Sequence, residues 1–419
     1  MGFQALGGRW GILLLLALIL MANGRTAAQE ALKEKDAPQG GQSGQIEYTE
    51  GSIALEVDEV TSLEELLELV RSRNPQIQSA DAKIATAQTE VMAANPAFQN
   101  RFRQVPANIR YSEKEFALKQ AIAERAQTAS TVQVLAAGLW CALGAAARGE
   151  EVARDQEKML QPLLERAESM KRINEGAAVL VEAVSGELQG RRYAQMKLKR
   201  QQETTKAQLQ YLLGDMQGTM KFSAKETMVP LKLRVAQSKP ADLIEELWKN
   251  GPGIHELEGI IDAALVSRDN AATVGRDGLG PMLLHFVPCT GNIKNRNEAF
   301  RAANQDVADN VAFQANVAID DARTRMGAVV REAFGIIRQG EAELQSATEQ
   351  IKRASEAYRI NDLRLKMNVQ GATAADVLTS LSGMDKAHSN FLNSLNDYNF
   401  AQARLAALLR DLRSVSPDR

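Results

Sequence analysis

Aromatic residues make up only 5% of the 419-residue chain, and its three His and two Cys are scattered singly. So thin an aromatic content argues against the interior of a typical compact enzyme. His255, His285 and His388 stand in no metal-ligand spacing with Cys or with one another. Gly278, Gly280 and Gly291 are not followed by the Lys and Ser/Thr of a phosphate-binding loop, and no Gly-x-Ser-x-Gly nucleophile phrase occurs. The sequence therefore offers no catalytic, cofactor-binding or metal site. Cys141 and Cys289 lack a surrounding cysteine framework, so two unpaired thiols are expected. Fifty basic residues against 52 acidic leave a net charge of −2, which favours neither nucleic acid nor an anionic surface. One apolar run lies near the start, and beyond it no segment is expected to be apolar enough for a transmembrane helix. Gly11–Met21 is apolar but short for a bilayer span; Arg9 precedes it and Thr26, Ala27 and Ala28 follow it. Residues 1–28 thus fit a cleaved export signal, with an uncleaved anchor as the alternative.

What the chain has in abundance is Ala, Gln, Glu, Leu, Lys and Arg, the composition of long helices. After a polar lead-in, residues 29–61, Ser62 and Glu65 form a capping-box signature. Leu63, Leu66, Leu67 and Val70 then recur at helical spacing, and Asn74-Pro75 ends one helix and opens another. The same phrase returns. Aligning Pro75 with Pro252 matches Leu66 to Leu243, Leu67 to Ile244, Val70 to Leu247, Ile77 to Ile254 and Ile84 to Ile261. The closing phrases match as well: Leu209, Leu212, Leu213 and Asp215 fall on Leu405, Leu408, Leu409 and Asp411. Two copies of one large unit are expected, 62–214 and 241–412, with a connector 215–240 and a tail 413–419. Only Pro162 interrupts the stretch from Pro106 to Pro230, and no Pro lies between Pro288 and Pro417. Leu392, Leu395, Leu405, Leu409 and Leu412 form a narrow stripe suited to knobs-into-holes packing. The expected fold class is mainly α, a tandem repeat of long antiparallel coiled-coil helices. For the connector, a small extra helix or a strand is expected.

In these features the sequence resembles the TolC-like outer membrane efflux proteins. The opening phrase from Leu63 resembles that of each family repeat, and the closing phrase from Leu395 is similar to the family's last long helix. The family's periplasmic-tip phrase is matched by Arg172, Gly176 and Glu182 in the first half, with Ile173 replacing a Tyr. In the second half Gly371, Asp376, Val377 and Leu378 match, with Asn368 in the Tyr position. Its strand-to-helix turn is echoed by Pro288 to Gly291 with Lys294, Arg296, Ala299 and Ala302. The resemblance implies an α-barrel protomer, a homotrimer, and an exported protein at the outer membrane or in the periplasm of a Gram-negative bacterium. It also implies a periplasmic adaptor and an inner-membrane pump as partners. Gly176 and Gly371 would be the tip turns, and Glu182 and Asp376 an acidic ring. Clustered like charges raise one another's pKa and attract cations. The plain alternative is that each acid sits on a solvated helix face.

The barrel is where the sequence departs from that family. A membrane-spanning strand takes about 9–11 residues, so a hairpin with its loop takes roughly twenty-five. Asn95 to Ser112 separates the helical stretches of the first half, carries Arg101, Arg103 and Arg110, and lacks the alternation of a barrel strand. Gly275 to Pro288 holds one credible short strand, Met282 to Val287. Barrel strands are expected to be reduced or absent. Two functions follow: a trimeric channel or tunnel component of an efflux or type I secretion system, or a barrel-less periplasmic helical scaffold derived from such proteins.

Overall fold

The computed structural model describes residues 59–94, 104–173, 178–233, 239–271, 293–367, 369–371 and 373–415. Ser62 caps helix α1 (Leu63–Arg73), its hydroxyl accepting from the Glu65 N–H at 3.2 Å. Glu65 reaches back to the Thr61 N–H at 3.0 Å, one residue earlier than in the reciprocal form of a capping box. Leu63, Leu66, Leu67 and Val70 are buried together on this helix. Asn74 ends α1 and starts α2 (Pro75–Ala94): its Oδ1 accepts from the N–H of Gln76 at 2.9 Å and of Ile77 at 3.1 Å. Its Nδ2 donates to the Leu212 carbonyl at 2.7 Å, which ties the first corner to the end of the first half.

The remaining helices are α3 (Gln104–Ile173), α4 (Ala178–Leu212), α5 (Pro240–Asn250), α6 (Ile254–Ala271), α7 (Ile293–Lys366) and α8 (Ala374–Val415). The order short, medium, long, long therefore occurs twice. At 1.5 Å per residue, the 70 residues of α3 and the 74 of α7 each extend about 105–110 Å. Pro162 lies inside α3 without ending it.

One expectation needs correction. Asn95 to Ser112 does not lie between helices: α3 already begins at Gln104, with Pro106 in its first turn, where a missing N–H breaks no helical bond. Only nine residues, 95–103, remain between α2 and α3. The corresponding stretch 272–292, with His285, Cys289, the glycines Gly278, Gly280 and Gly291 and the expected strand Met282 to Val287, lies outside the described residues. So do residues 1–28, where an export signal is expected, and most of the lead-in. Among the described residues the strands are β1 (Glu59–Val60) and β2 (Lys221–Phe222), paired in parallel with Val60 opposite Phe222.

Helix neighbours follow two orders along the molecule. Near α2 and α6 the lateral order is α2–α3–α6–α7; where α4 and α8 run back along the long helices it is α4–α3–α8–α7. Small side chains on α3, among them Ala129, Ala136 and Ala137, are fully buried and let its neighbours approach closely. One core joins α5, α6, α7 and α8 and includes Leu395, Leu405 and Leu409 of the leucine stripe. A second joins β1, α1, α3 and the connector to α8. Cys141 lies in it as a free thiol, and burial, with the charge of Glu226, pushes its pKa far above the usual range. It is inert as a nucleophile.

The connector holds both a strand, β2, and a 3₁₀ turn, Lys225–Met228. Glu226 accepts from the Leu63 N–H at 2.5 Å and from the Trp140 Nε1–H at 2.8 Å, placing a carboxylate on the first turn of α1. Gly144 makes room for this turn. A Cβ there would fall 2.8 Å from the Ala224 carbonyl oxygen and closer still to the Thr227 hydroxyl. Two buried amides of α8 hold the following residues as a neighbouring strand would. Asn399 accepts from the Leu231 N–H at 2.8 Å and donates to the carbonyls of Thr227 at 2.8 Å and Val229 at 3.0 Å. Gln402 accepts from the Leu233 N–H at 2.9 Å and donates to the Leu231 carbonyl at 2.8 Å.

Candidate functional site

The sequence points to the far end of the long helices, where α3 gives way to α4 and α7 to α8. A third core closes this end, with Leu160 and Leu163 from α3, Val184 and Leu188 from α4, Leu365 from α7, and Val377, Leu381 and Met384 from α8. All four helices are thus packed together near their turns. Three polar links reinforce the join between the two hairpins. Arg191 of α4 meets Asp385 of α8 at 2.6 Å, Arg166 of α3 meets Asp362 of α7 at 3.4 Å, and the Tyr358 hydroxyl donates to the Met159 carbonyl at 3.3 Å. None of these pairs was singled out from sequence. Each joins residues far apart in the chain, and only the tertiary fold brings them into register.

Of the candidate residues, Gly176 lies outside the described residues, whereas Gly371 has φ of 82°, the left-handed conformation that glycine tolerates at a turn. Glu182 is exposed on the second turn of α4. Asp376, also exposed, has a local partner. Its Oδ2 accepts from the Thr373 hydroxyl at 2.8 Å and the Thr373 N–H at 3.0 Å, while its own N–H donates to the Thr373 Oγ1 at 3.3 Å. This is a capping box at the start of α8, legible in the sequence as Thr-x-x-Asp. The Thr373 hydroxyl and N–H hold the Asp376 carboxyl below the usual carboxylate range. A nearby ring of like charges would push it the other way. No hydrogen bond or ion pair joins Glu182 to Asp376 among the described residues. Around the two acids the tip is apolar and exposed, with Val179, Ile360, Met367 and Val369 facing outward.

Elsewhere, the described residues hold no cluster of His, Cys, Asp and Glu able to bind a metal ion. His255 is exposed and sits 3.3 Å from the Asn250 side-chain oxygen and 3.7 Å from Glu258, an ordinary surface arrangement.

Neither the known protein-family models nor the curated proteins match this sequence. Solved structures do. A membrane protein from Pseudomonas aeruginosa aligns over 89% of this chain and 97% of its own, with TM-score 0.63 and 14% identity. The MtrE outer membrane channel of Neisseria gonorrhoeae, in its open state, aligns over 83% and 88%, with TM-score 0.58 and 15% identity. The CmeC outer membrane channel of Campylobacter jejuni aligns over 90% and 94%, with TM-score 0.60 and 11% identity. One is named as a membrane protein and two as outer membrane channels. With its duplicated long helices and its two reversing hairpins, the chain has the TolC-like fold of the outer membrane efflux channels.

Proposed function

We propose that the protein is a homotrimeric tunnel component of an efflux or type I secretion system, exported to the cell envelope of a Gram-negative bacterium. The observation that carries this reading is the unequal burial of two equivalent helices. α6 is packed between α3 and α7 and buries Ile254, Leu257, Ile260 and Ala264. Its sister α2 packs on α3 without a second long neighbour, and among its 20 residues Ile77 alone is buried. In the same way α8 lies between α3 and α7, whereas α4 is flanked mainly by α3. Two different open edges, α2 with α4 on one side and α7 on the other, fit a head-to-tail association that closes on itself. Three copies would supply six equivalent units. The packed tip, with its exposed apolar residues, is then the end at which a periplasmic adaptor and an inner-membrane pump would engage. Light scattering on the purified, detergent-free protein tests the assembly: three times the chain mass is the expected result. A monomer at all concentrations would refute it.

A second reading, a barrel-less periplasmic scaffold, is favoured by the nine residues between α2 and α3. Two membrane-spanning strands with a turn need roughly twenty-five. The two readings part in planar bilayers and in carbonate extraction of envelopes. Single-channel conductance with retention in the membrane supports the full channel; a silent protein released by carbonate supports the scaffold.

A further inference from the structure

The repeat gives a way to locate contacts between copies. The corner between α5 and α6 packs within the chain against α3: a Cβ placed on Gly253 would lie 3.4 Å from the Cβ of Ala123. Ala123 is buried as a result. The Pro75–Pro252 correspondence makes Gln76 the partner of Gly253 in the first half. There the corner is uncovered, with Pro75 and Gln76 both exposed.

The matching position on α7 is set by an ion pair that occurs in both halves. Arg125 of α3 meets Asp81 of α2 at 2.8 Å, and Arg323 of α7 meets Glu258 of α6 at 3.0 Å. Asp81 and Glu258 are equivalent under the same correspondence, so Arg125 matches Arg323 and Ala123 matches Asp321. Asp321 is exposed. Beside it an open groove of about 500 Å³ runs between α5 and α7, lined by Glu245, Trp248, Lys249, Asp320, Arg323 and Thr324.

Trp248 is the telling residue. Its Nε1–H donates to the Arg323 carbonyl at 3.0 Å, yet 42% of the residue is exposed. The equivalent residue of the first half is Arg71, so the repeated unit does not require an indole at this point. A large amphipathic ring with its polar edge satisfied and its body open is typical of contact surfaces. Val317, about one turn before Asp321, adds an exposed apolar side chain on α7.

We propose that this groove is the socket for the α1–α2 corner of a second copy of the chain, with Pro75 and Gln76 seated beside Trp248 and Asp321. The inference rests on the trimeric reading above and goes further by naming the register of the contact. Within the chain α2 and α7 share no packed face, so a covalent link between them reports a neighbouring copy. The template separation of 3.4 Å is close to the Cβ···Cβ distance of a disulfide, about 3.5–4.5 Å. The test combines Gln76→Cys with Asp321→Cys in a Cys141→Ala, Cys289→Ala background, with light scattering before oxidation. A denaturant-resistant ladder of two and three chains, absent from either single variant and abolished by reductant, supports the socket. A three-chain particle that yields no ladder, and whose Trp248 is as open to acrylamide as in the separated chain, overturns the socket and leaves the trimer standing. A single-chain particle throughout overturns both. Acrylamide quenching of the unsubstituted protein, referenced to Trp248→Phe, keeps the test decisive if the double variant misfolds.

Discussion

The clamp between α8 and the connector is open to a quantitative test through Asn399→Leu. Leu keeps the branched heavy-atom outline of Asn but removes three hydrogen bonds, those to Leu231 N–H, Thr227 carbonyl and Val229 carbonyl. Asn399 is 1% exposed, so water does not readily replace them. At a net ~1 kcal/mol per hydrogen bond the loss is about 3 kcal/mol, rising toward 5 if the orphaned backbone groups stay buried. Spread over the unit Val57–Arg419, with ~2.1 cal/mol/K of unfolding entropy per residue, 3 kcal/mol lowers Tm by about 4 °C. The local effect is larger and easier to read. Lys225 and Lys232 lie in or beside the clamped segment, and trypsin cuts there only when it lifts away. A 3 kcal/mol loss raises that opening, and with it the cleavage rate, by about a hundredfold. Glu203 is the equivalent of Asn399 on α4 and is exposed beside Lys206, so Glu203→Leu leaves both measurements unchanged. An Asn399→Leu protein that unfolds at the parental temperature and resists trypsin equally would refute the clamp.

Three further outcomes are expected. Gly144→Ala forces a Cβ to within 2.8 Å of the Ala224 carbonyl, so the 3₁₀ turn must shift; loss of about 1–3 kcal/mol in urea unfolding, together with faster trypsin cleavage at Lys225, checks it. Gln133 is fully buried and neither of its amide atoms has a hydrogen-bond partner among the described residues, so Gln133→Met should raise the urea midpoint by the equivalent of about 1–3 kcal/mol; a lowered midpoint contradicts this account. Capping also carries a pH signature. Because folding depresses the Asp376 carboxyl, its stabilisation is complete above the ordinary Asp value of about 3.9 and disappears as pH falls through the depressed folded value. The protection factor of amides at the start of α8, each rate taken against the intrinsic rate at the same pH, should therefore fall as pH drops through the depressed Asp376 value in the parent, and should already be low at pH 7 in Thr373→Ala.

Periodicity and punctuation alone carried the sequence to the helices, to the duplication and to the corner at Asn74-Pro75, because these depend on neighbours a few residues apart. Ser62 at a cap, Leu395, Leu405 and Leu409 on one face, and the absence of proline between Pro288 and Pro417 are local signals, and the structure uses them locally. The gap between α2 and α3 is shorter than Asn95 to Ser112 because Pro106 sits in the first turn of α3, where a missing N–H breaks nothing. Gly371 lies in the turn between α7 and α8 with φ of 82°, whereas the ring of acids expected beside it depends on an assembly of chains. Thr373 and Asp376 form a short-range capping motif, a local role for an acid that a ring between chains would also employ. What only the tertiary structure decided is lateral order: that α6 is packed on two sides and α2 on one, that Asn399 and Gln402 hold a connector nearly 170 positions away, and that Arg191 meets Asp385. A helix face is written by spacing within the chain. Which helix it meets is settled by long-range burial, for which no residue pair along the sequence carries a mark.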